Sequence, residues 1–209
     1  GVVAPVNKGL EGELNPENQM PLREPLKPIV HSQPEGSSII TKGTEVSWDN
    51  WTFRYTMHTR EGLVLNDVRY KGRPILYRGS LCEMVVPYGS PAENWSWRNA
   101  FDLGEYGVGR LANTLRRGFD VPTHAVLKDT AFVDDFGKLL VQKDNVAIYE
   151  KESGILWKHK DYDSLMDQVR PARELHLTYV ATVGNYDYAL GWVLGQDGSI
   201  AAEAQLTGI

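Results

Sequence analysis

Along most of this chain, apolar residues fall in short runs separated by turn residues. Such a pattern predicts strands. Strands are expected at Thr44–Trp48 and Trp51–Met57, on either side of a tight turn at Asp49-Asn50. Leu63–Tyr70, Pro74–Arg78 and Leu81–Val86 follow, separated by Lys71-Gly72 and Arg78-Gly79. A glycine-rich polar stretch from Pro87 to Gly118 reads as a long ordered loop, with a helical turn near Leu111–Leu115. Strands resume at Ala125–Val133, at an interrupted Leu139–Tyr149 and at Gly154–Lys158. A short helix is expected around Asp163–Val169, followed by strands Leu175–Val183 and Tyr186–Leu194. A hairpin at Gln196-Asp197-Gly198 then returns as Ser199–Leu206. No long stretch keeps a period of 3.6 residues, and no internal repeat is present. Many short strands with frequent turns mean an all-β protein, a sandwich or a larger β assembly.

Residues 1–28 differ. They carry Pro5, Pro16, Pro21, Pro25 and Pro28 with few consecutive apolar residues, the composition of a linker or arm. The expected organisation is a linker over 1–28 and one β domain over 29–209. Because the last strand runs nearly to Ile209 without a polar cap, more chain is expected to follow it.

Composition then narrows the function classes. Of 209 residues, 42% are hydrophobic and 23% charged, ordinary for a globular domain able to bury a core. A net charge of −5 without a basic stripe argues against nucleic acid as a partner. No apolar run approaches a membrane span, and the N-terminus lacks the pattern of a signal peptide. The one cysteine, Cys82, stands in the apolar run L-C-E-M-V-V and is expected to be a small buried residue. The five histidines show no H-x-H or H-x₃-H spacing, so no local metal site is visible. Gly104, Gly107 and Gly109 lack the G-K-[ST] ending and the strand-to-helix setting of a phosphate loop.

Two stretches hold candidate chemistry. Asp102, between Phe101 and Leu103, is either a turn-forming aspartate or a carboxylate desolvated by its neighbours and thereby tuned as a base. Asn185-Tyr186-Asp187-Tyr188 reads as a strand with both tyrosines on one face and Asn185 and Asp187 on the other. By composition Tyr88 is a strand-end tyrosine without a privileged role.

Together, three motifs resemble the copper amine oxidases, the topaquinone-dependent enzymes that oxidise primary amines. They are T-V-G-N-Y-D-Y at Thr182–Tyr188, F-D-L-G-E-Y at Phe101–Tyr106 and M-V-V-P-Y-G at Met84–Gly89. Further similar stretches lie at Lys27–Gly36, Arg60–Leu65 and Asp197–Ile209. The resemblance implies a large twisted β-sandwich (a supersandwich) with long ordered loops, of which this chain is the N-terminal part. It makes Tyr186 the precursor of topaquinone and Asp102 the catalytic base. Tyr88 becomes the hydrogen-bond partner of the quinone oxygen, and Asn185 the residue that restricts rotation of the ring. A bulky aromatic often gates the substrate channel two residues before the base. Here that position is Ala100, which implies a roomier channel.

The implied cofactors are topaquinone and copper(II), and the implied partners are a primary amine, O₂ and a second copy in a homodimer. The family's three copper histidines come after the quinone, whereas only 23 residues follow Tyr186 and none is histidine. The copper ligands are therefore expected downstream of Ile209, and the fragment alone is expected to be inactive. Arg117–Val121, where some members carry a disulfide, has no cysteine, and Ser90 stands where an aspartate is common. The compartment stays open, with the peroxisome or cell interior set slightly ahead of the extracellular space. A rival reading is a non-catalytic β-sandwich binding module, with the six tryptophans lining a carbohydrate or protein surface.

Overall fold

The computed structural model describes Glu24 and residues 26–208. The chain divides into two compact units, 1–30 and 31–209. Most of the expected linker over 1–28 lies outside the described residues, and the elements described belong to the second unit.

That unit is all-β. Strands β1 (Ile40–Lys42), β2 (Glu45–Trp48), β3 (Trp51–His58), β4 (Gly62–Tyr70) and β5 (Arg73–Gly79) form one antiparallel meander in chain order. After a short hairpin of β6 (Val85–Pro87) and β7 (Asn99–Phe101) comes a single five-residue helix, α1 (Asp102–Tyr106). A second five-stranded meander follows, made of β8 (Val126–Val133), β9 (Leu139–Lys160), β10 (Asp167–Val183), β11 (Tyr186–Gly195) and β12 (Ile200–Gly208).

The period-2 pattern explains the layering. On β3, Trp51, Phe53 and Tyr55 are buried while Thr52, Arg54 and Thr56 are exposed. Their buried face meets Ile148, Leu175, Leu177 and Leu190 of the second sheet in one core. This is the β-sandwich expected from the sequence. Three tryptophans stitch its layers with polar contacts. Trp51 Nε1 donates to the Gly195 carbonyl at 2.8 Å, and Trp192 Nε1 donates back to the Leu63 carbonyl at 3.1 Å. Trp48 Nε1 donates to Glu150 Oε1 at 2.8 Å. Half of the six tryptophans are thus spent on joining the sheets, which breaks up the continuous aromatic platform of the rival reading.

Glu150 is a buried carboxylate with unusually many donors. Besides Trp48 it accepts hydrogen bonds from Gln33 Nε2 and from the Ser38 amide, and Arg173 Nη1 stands 3.6 Å away. Burial pushes its pKa up, but the bonds from Trp48, Gln33 and Ser38 and the Arg173 charge outweigh burial and hold it below the usual range. A depressed folded-state pKa contributes stability that is complete above the unfolded value of about 4.3 and fades as pH falls through the folded value. Glu150→Gln is therefore expected to cost about 1–3 kcal/mol at pH 7. The cost should shrink as pH falls below the unfolded value of about 4.3 and through the folded one, as read from urea unfolding at neutral and at acid pH.

Four local expectations change. The interruption expected within Leu139–Tyr149 is a shift in its pairing with β8, between Lys128 and Thr130. Gly154–Lys158, expected as a separate strand, belongs to the same 22-residue strand, β9, which passes Gly154 as a bulge. Opposite it, Pro171 offers no N–H, and the register shifts between Arg170 and Arg173. The helix expected around Asp163–Val169 is a turn that runs into the start of β10 at Asp167. Asp161 Oδ2 accepts from Ser164 Oγ and Oδ1 from the Asp163 amide, an aspartate-based turn that closes the β9–β10 ribbon. Helix forms at Asp102–Tyr106 rather than near Leu111–Leu115. Residues 111–113 instead lie along the part of β10 that outruns β9, where Asn113 N donates to the Val180 carbonyl at 2.7 Å. They cover an edge that would otherwise have no partner. Cys82 is exposed. Of the expected strand Leu81–Val86 only Val85 and Val86 pair, in β6, which leaves Cys82 in a link outside either large sheet.

Candidate active site

The β10–β11 hairpin carries the tyrosine pair. Val183 pairs with Tyr186, so Gly184-Asn185 is a two-residue turn. Gly184 has φ +61°, a value that favours glycine at the first central position of a tight hairpin turn. Asn185 is thus an exposed turn residue, not a strand residue facing away from the tyrosines. Tyr186 opens β11 at the rim and is 55% exposed, whereas Tyr188 is buried. Their rings lie 6.4 Å apart and 22° from parallel, on one face of the strand as its period requires. On the other face, Asn113 Nδ2 donates to Thr182 Oγ1 at 2.7 Å, and that hydroxyl donates to Asp187 Oδ1 at 2.6 Å. This relay ties the hairpin to the segment that follows α1.

The β6–β7 hairpin carries the rest of the site. Ala100 pairs with Val86 at its centre, Tyr88 follows β6, and Asp102 follows β7 as the first residue of α1. Tyr88 N donates to the Arg98 carbonyl at 3.1 Å, and the Arg98 guanidinium lies 5.7 Å from the Tyr88 ring centroid. Trp95 packs beside the same ring, with centroids 6.3 Å apart.

The two hairpins meet at one short hydrogen bond. Tyr188 Oη donates to Asp102 Oδ2 at 2.6 Å across 86 positions of sequence. Among the described residues, Oδ1 of the same half-buried carboxylate has no hydrogen-bond partner. Burial, the bond to Asp102, the Asp102 charge and the nearby phenols of Tyr186 and Tyr88 all raise the Tyr188 pKa. Tyr188 therefore remains a protonated donor throughout the neutral range.

Of the residues singled out in the sequence, Asp102, Tyr186 and Tyr88 converge on Tyr188, which the sequence reading left without a role. The signal was present. Two residues along a strand return to the same face, so any site at Tyr186 must also reach Tyr188.

Among the described residues, no group of three histidine, cysteine, aspartate or glutamate side chains could hold a metal ion. These residues do not supply a copper site. Tyr186 is suited to modification, with an open ring at the rim backed by Tyr188.

Residues 38–209 match the family described as copper amine oxidase, enzyme domain. The chain is 45% identical over 192 residues to histamine oxidase of Arthrobacter globiformis, covering 90% of this chain and 28% of that protein. It is 37% identical over 188 residues to the primary amine oxidase of Klebsiella aerogenes, covering 88% of this chain and 25% of the relative. Among solved structures, a copper-containing benzylamine oxidase from Hansenula polymorpha superposes with a TM-score of 0.83 at 36% identity, over 93% of this chain and 31% of that one. The chain thus spans between about a quarter and a third of the length of these relatives. With matching motifs, a shared fold and this breadth of similarity, the chain belongs to the copper amine oxidase family.

Proposed function

We propose that this chain is the part of a primary amine oxidase that bears the cofactor tyrosine and the catalytic base. The intact enzyme converts R-CH₂-NH₂, O₂ and H₂O to R-CHO, NH₃ and H₂O₂. The observation that carries the reading is the Tyr188–Asp102 hydrogen bond, which holds a carboxylate at the tyrosine that stacks on Tyr186. Family membership and relatives named as amine oxidases support it.

Topaquinone, made from Tyr186, supplies an electrophilic carbonyl and takes up two electrons. Everything else is positioning by the protein. Asp102 presents Oδ1 to the substrate α-carbon and accepts its proton there, while Oδ2 stays engaged by Tyr188. Tyr188 fixes the direction in which the base points and stabilises its charge. Tyr88, whose ring lies against Arg98 and Trp95, would offer its hydroxyl as a hydrogen-bond partner to a quinone oxygen. Asn185 limits rotation of the ring at residue 186. Ala100 leaves open the space at β7 beside the base, which suits larger amines. Copper(II) is assigned to histidines supplied by chain outside the described residues. Linker 1–28 and catalytic portion 29–209 remain the proposed division of the chain.

The partner in the assembly is a second copy. Beyond the sandwich, β9 and β10 continue as a two-stranded ribbon exposed on both faces, which carries Ile155, Leu156, Trp157, Val169, Leu165 and Met166. A lone two-stranded ribbon is marginally stable in water, and apolar groups on both of its faces call for another surface. Leu156→Asp with Trp157→Asp should convert the enzyme from dimer to monomer in sedimentation equilibrium, and an unchanged mass would reject this role.

The activity is tested by expressing the chain together with its downstream sequence and copper. Redox-cycling quinone staining and steady peroxide release with benzylamine or a short alkylamine are expected. A copper-loaded protein that neither stains nor releases peroxide would sink the reading.

A further inference from the structure

A five-residue helix cannot hold its own orientation, because nucleating a turn costs more than its few hydrogen bonds return. Yet α1 starts with Asp102, whose carboxylate must stand at one place. Something outside the helix has to hold it.

Glu83 meets that need. Its Oε1 accepts the Gly104 amide at 3.0 Å and the Met84 amide at 3.1 Å. The first of these donors lies in α1, two residues after Asp102. The second lies at the head of the strand that leads into Tyr88. Its other oxygen faces Arg60 Nη2 at 3.4 Å, from the turn between β3 and β4. A second observation points to the same contact. A Cβ built at Gly104 would overlap Glu83 Oε2 and lie 2.6 Å from Arg60 Nη2, so alanine there would push both side-chain ends from their present seats. The segment just after the helix is held to the same turn, where Arg110 N donates to the Thr59 carbonyl at 3.0 Å. Burial pushes the Glu83 pKa up, but the Gly104 and Met84 amides and the Arg60 charge outweigh it, so the carboxylate is ionised at neutral pH.

We propose that Glu83, paired with Arg60 and seated against Gly104, is the positioning residue of Asp102, joining the helix of the base to the strand of Tyr88. This rests on the reading of Asp102 as the base. The contact spans three segments that are distant in sequence, so moving Glu83 displaces the base without touching substrate. A misplacement of about 1 Å can cost on the order of 100-fold in rate.

The test uses the copper- and quinone-loaded enzyme that contains this chain, with Glu83→Ala, Glu83→Gln, Gly104→Ala and Asp102→Asn. Glu83→Ala and Gly104→Ala are expected to slow anaerobic reduction of the quinone by benzylamine about 10- to 100-fold. Quinone content by phenylhydrazine titration should be unchanged, and the deuterium isotope effect on kcat with α-deuterated benzylamine should rise. Glu83→Gln keeps the acceptor but loses the charge and should fall between these variants and wild type, which serves if the alanine variants fold poorly. Independently of activity, hydrogen exchange at the Gly104 amide should quicken about tenfold or more in Glu83→Ala, since its acceptor is gone. Wild-type reduction rates and isotope effects in Glu83→Ala and Gly104→Ala overturn the proposal. If Asp102→Asn is inactive in that case, the assignment of the base survives. If Asp102→Asn turns over normally, both fall.

Discussion

Tyr186→Phe is expected to yield a folded, colourless protein without amine oxidase activity, even with copper and the downstream chain present. Topaquinone requires oxygen already on the ring at the phenol position, and phenylalanine offers no phenolate to oxidise. The fold should tolerate the change, because Tyr186 is 55% exposed and its hydroxyl has no hydrogen-bond partner among the described residues. An exposed substitution of this kind shifts stability by about 0.5 kcal/mol or less. Quinone staining and unfolding curves measured on the same preparation separate the two effects. Staining of Tyr186→Phe at the wild-type level would remove Tyr186 from the mechanism. The neighbouring Tyr188→Phe should keep the cofactor and lose only the bond to Asp102, since its ring remains in the core.

Asp102→Asn should retain quinone and copper and lose turnover by about 10²–10⁴-fold, the usual contribution of a positioned general base. Asparagine accepts the Tyr188 hydrogen bond through its amide oxygen, so the contact between the hairpins should survive and the protein should unfold close to the wild-type midpoint. What is lost is a basic oxygen facing the substrate. Single-turnover reduction by benzylamine under anaerobic conditions measures that step directly, while phenylhydrazine titration verifies that the quinone is present. A decrease in kcat of less than about tenfold would be too small for a general base. The oxygen opposite Tyr188 would then need another function.

The sequence by itself determined a good deal. Alternation and turn residues placed β2, β3, β4, β8, β11 and β12 within a residue or two, because a half-buried strand must show period 2 and tight turns demand particular residues. Motif resemblance picked out Tyr186, Asp102 and Tyr88, since side-chain chemistry is written in residue identity. Several things were decided only in three dimensions. Gly154 signals a break locally, yet pairing with β10 carries β9 through it as a bulge. A short helix was expected at Asp163–Val169, yet closing a long ribbon required a turn at its start and strand pairing from Asp167, and tertiary pairing outweighs weak helix propensity. The short helix fell at Asp102–Tyr106, where Glu83 accepts the Gly104 amide and the Thr59 carbonyl holds Arg110 just beyond the helix. Tyr188 and Asp102 are 86 positions apart and Glu83 and Gly104 are 21. No local pattern announces such contacts, because hydrogen bonds between distant segments depend on how two sheets stack and not on the spacing of residues along either one. The sequence names Tyr186 and Asp102 as the proposed cofactor tyrosine and base, and the packing of two hairpins joins their segments through Tyr188.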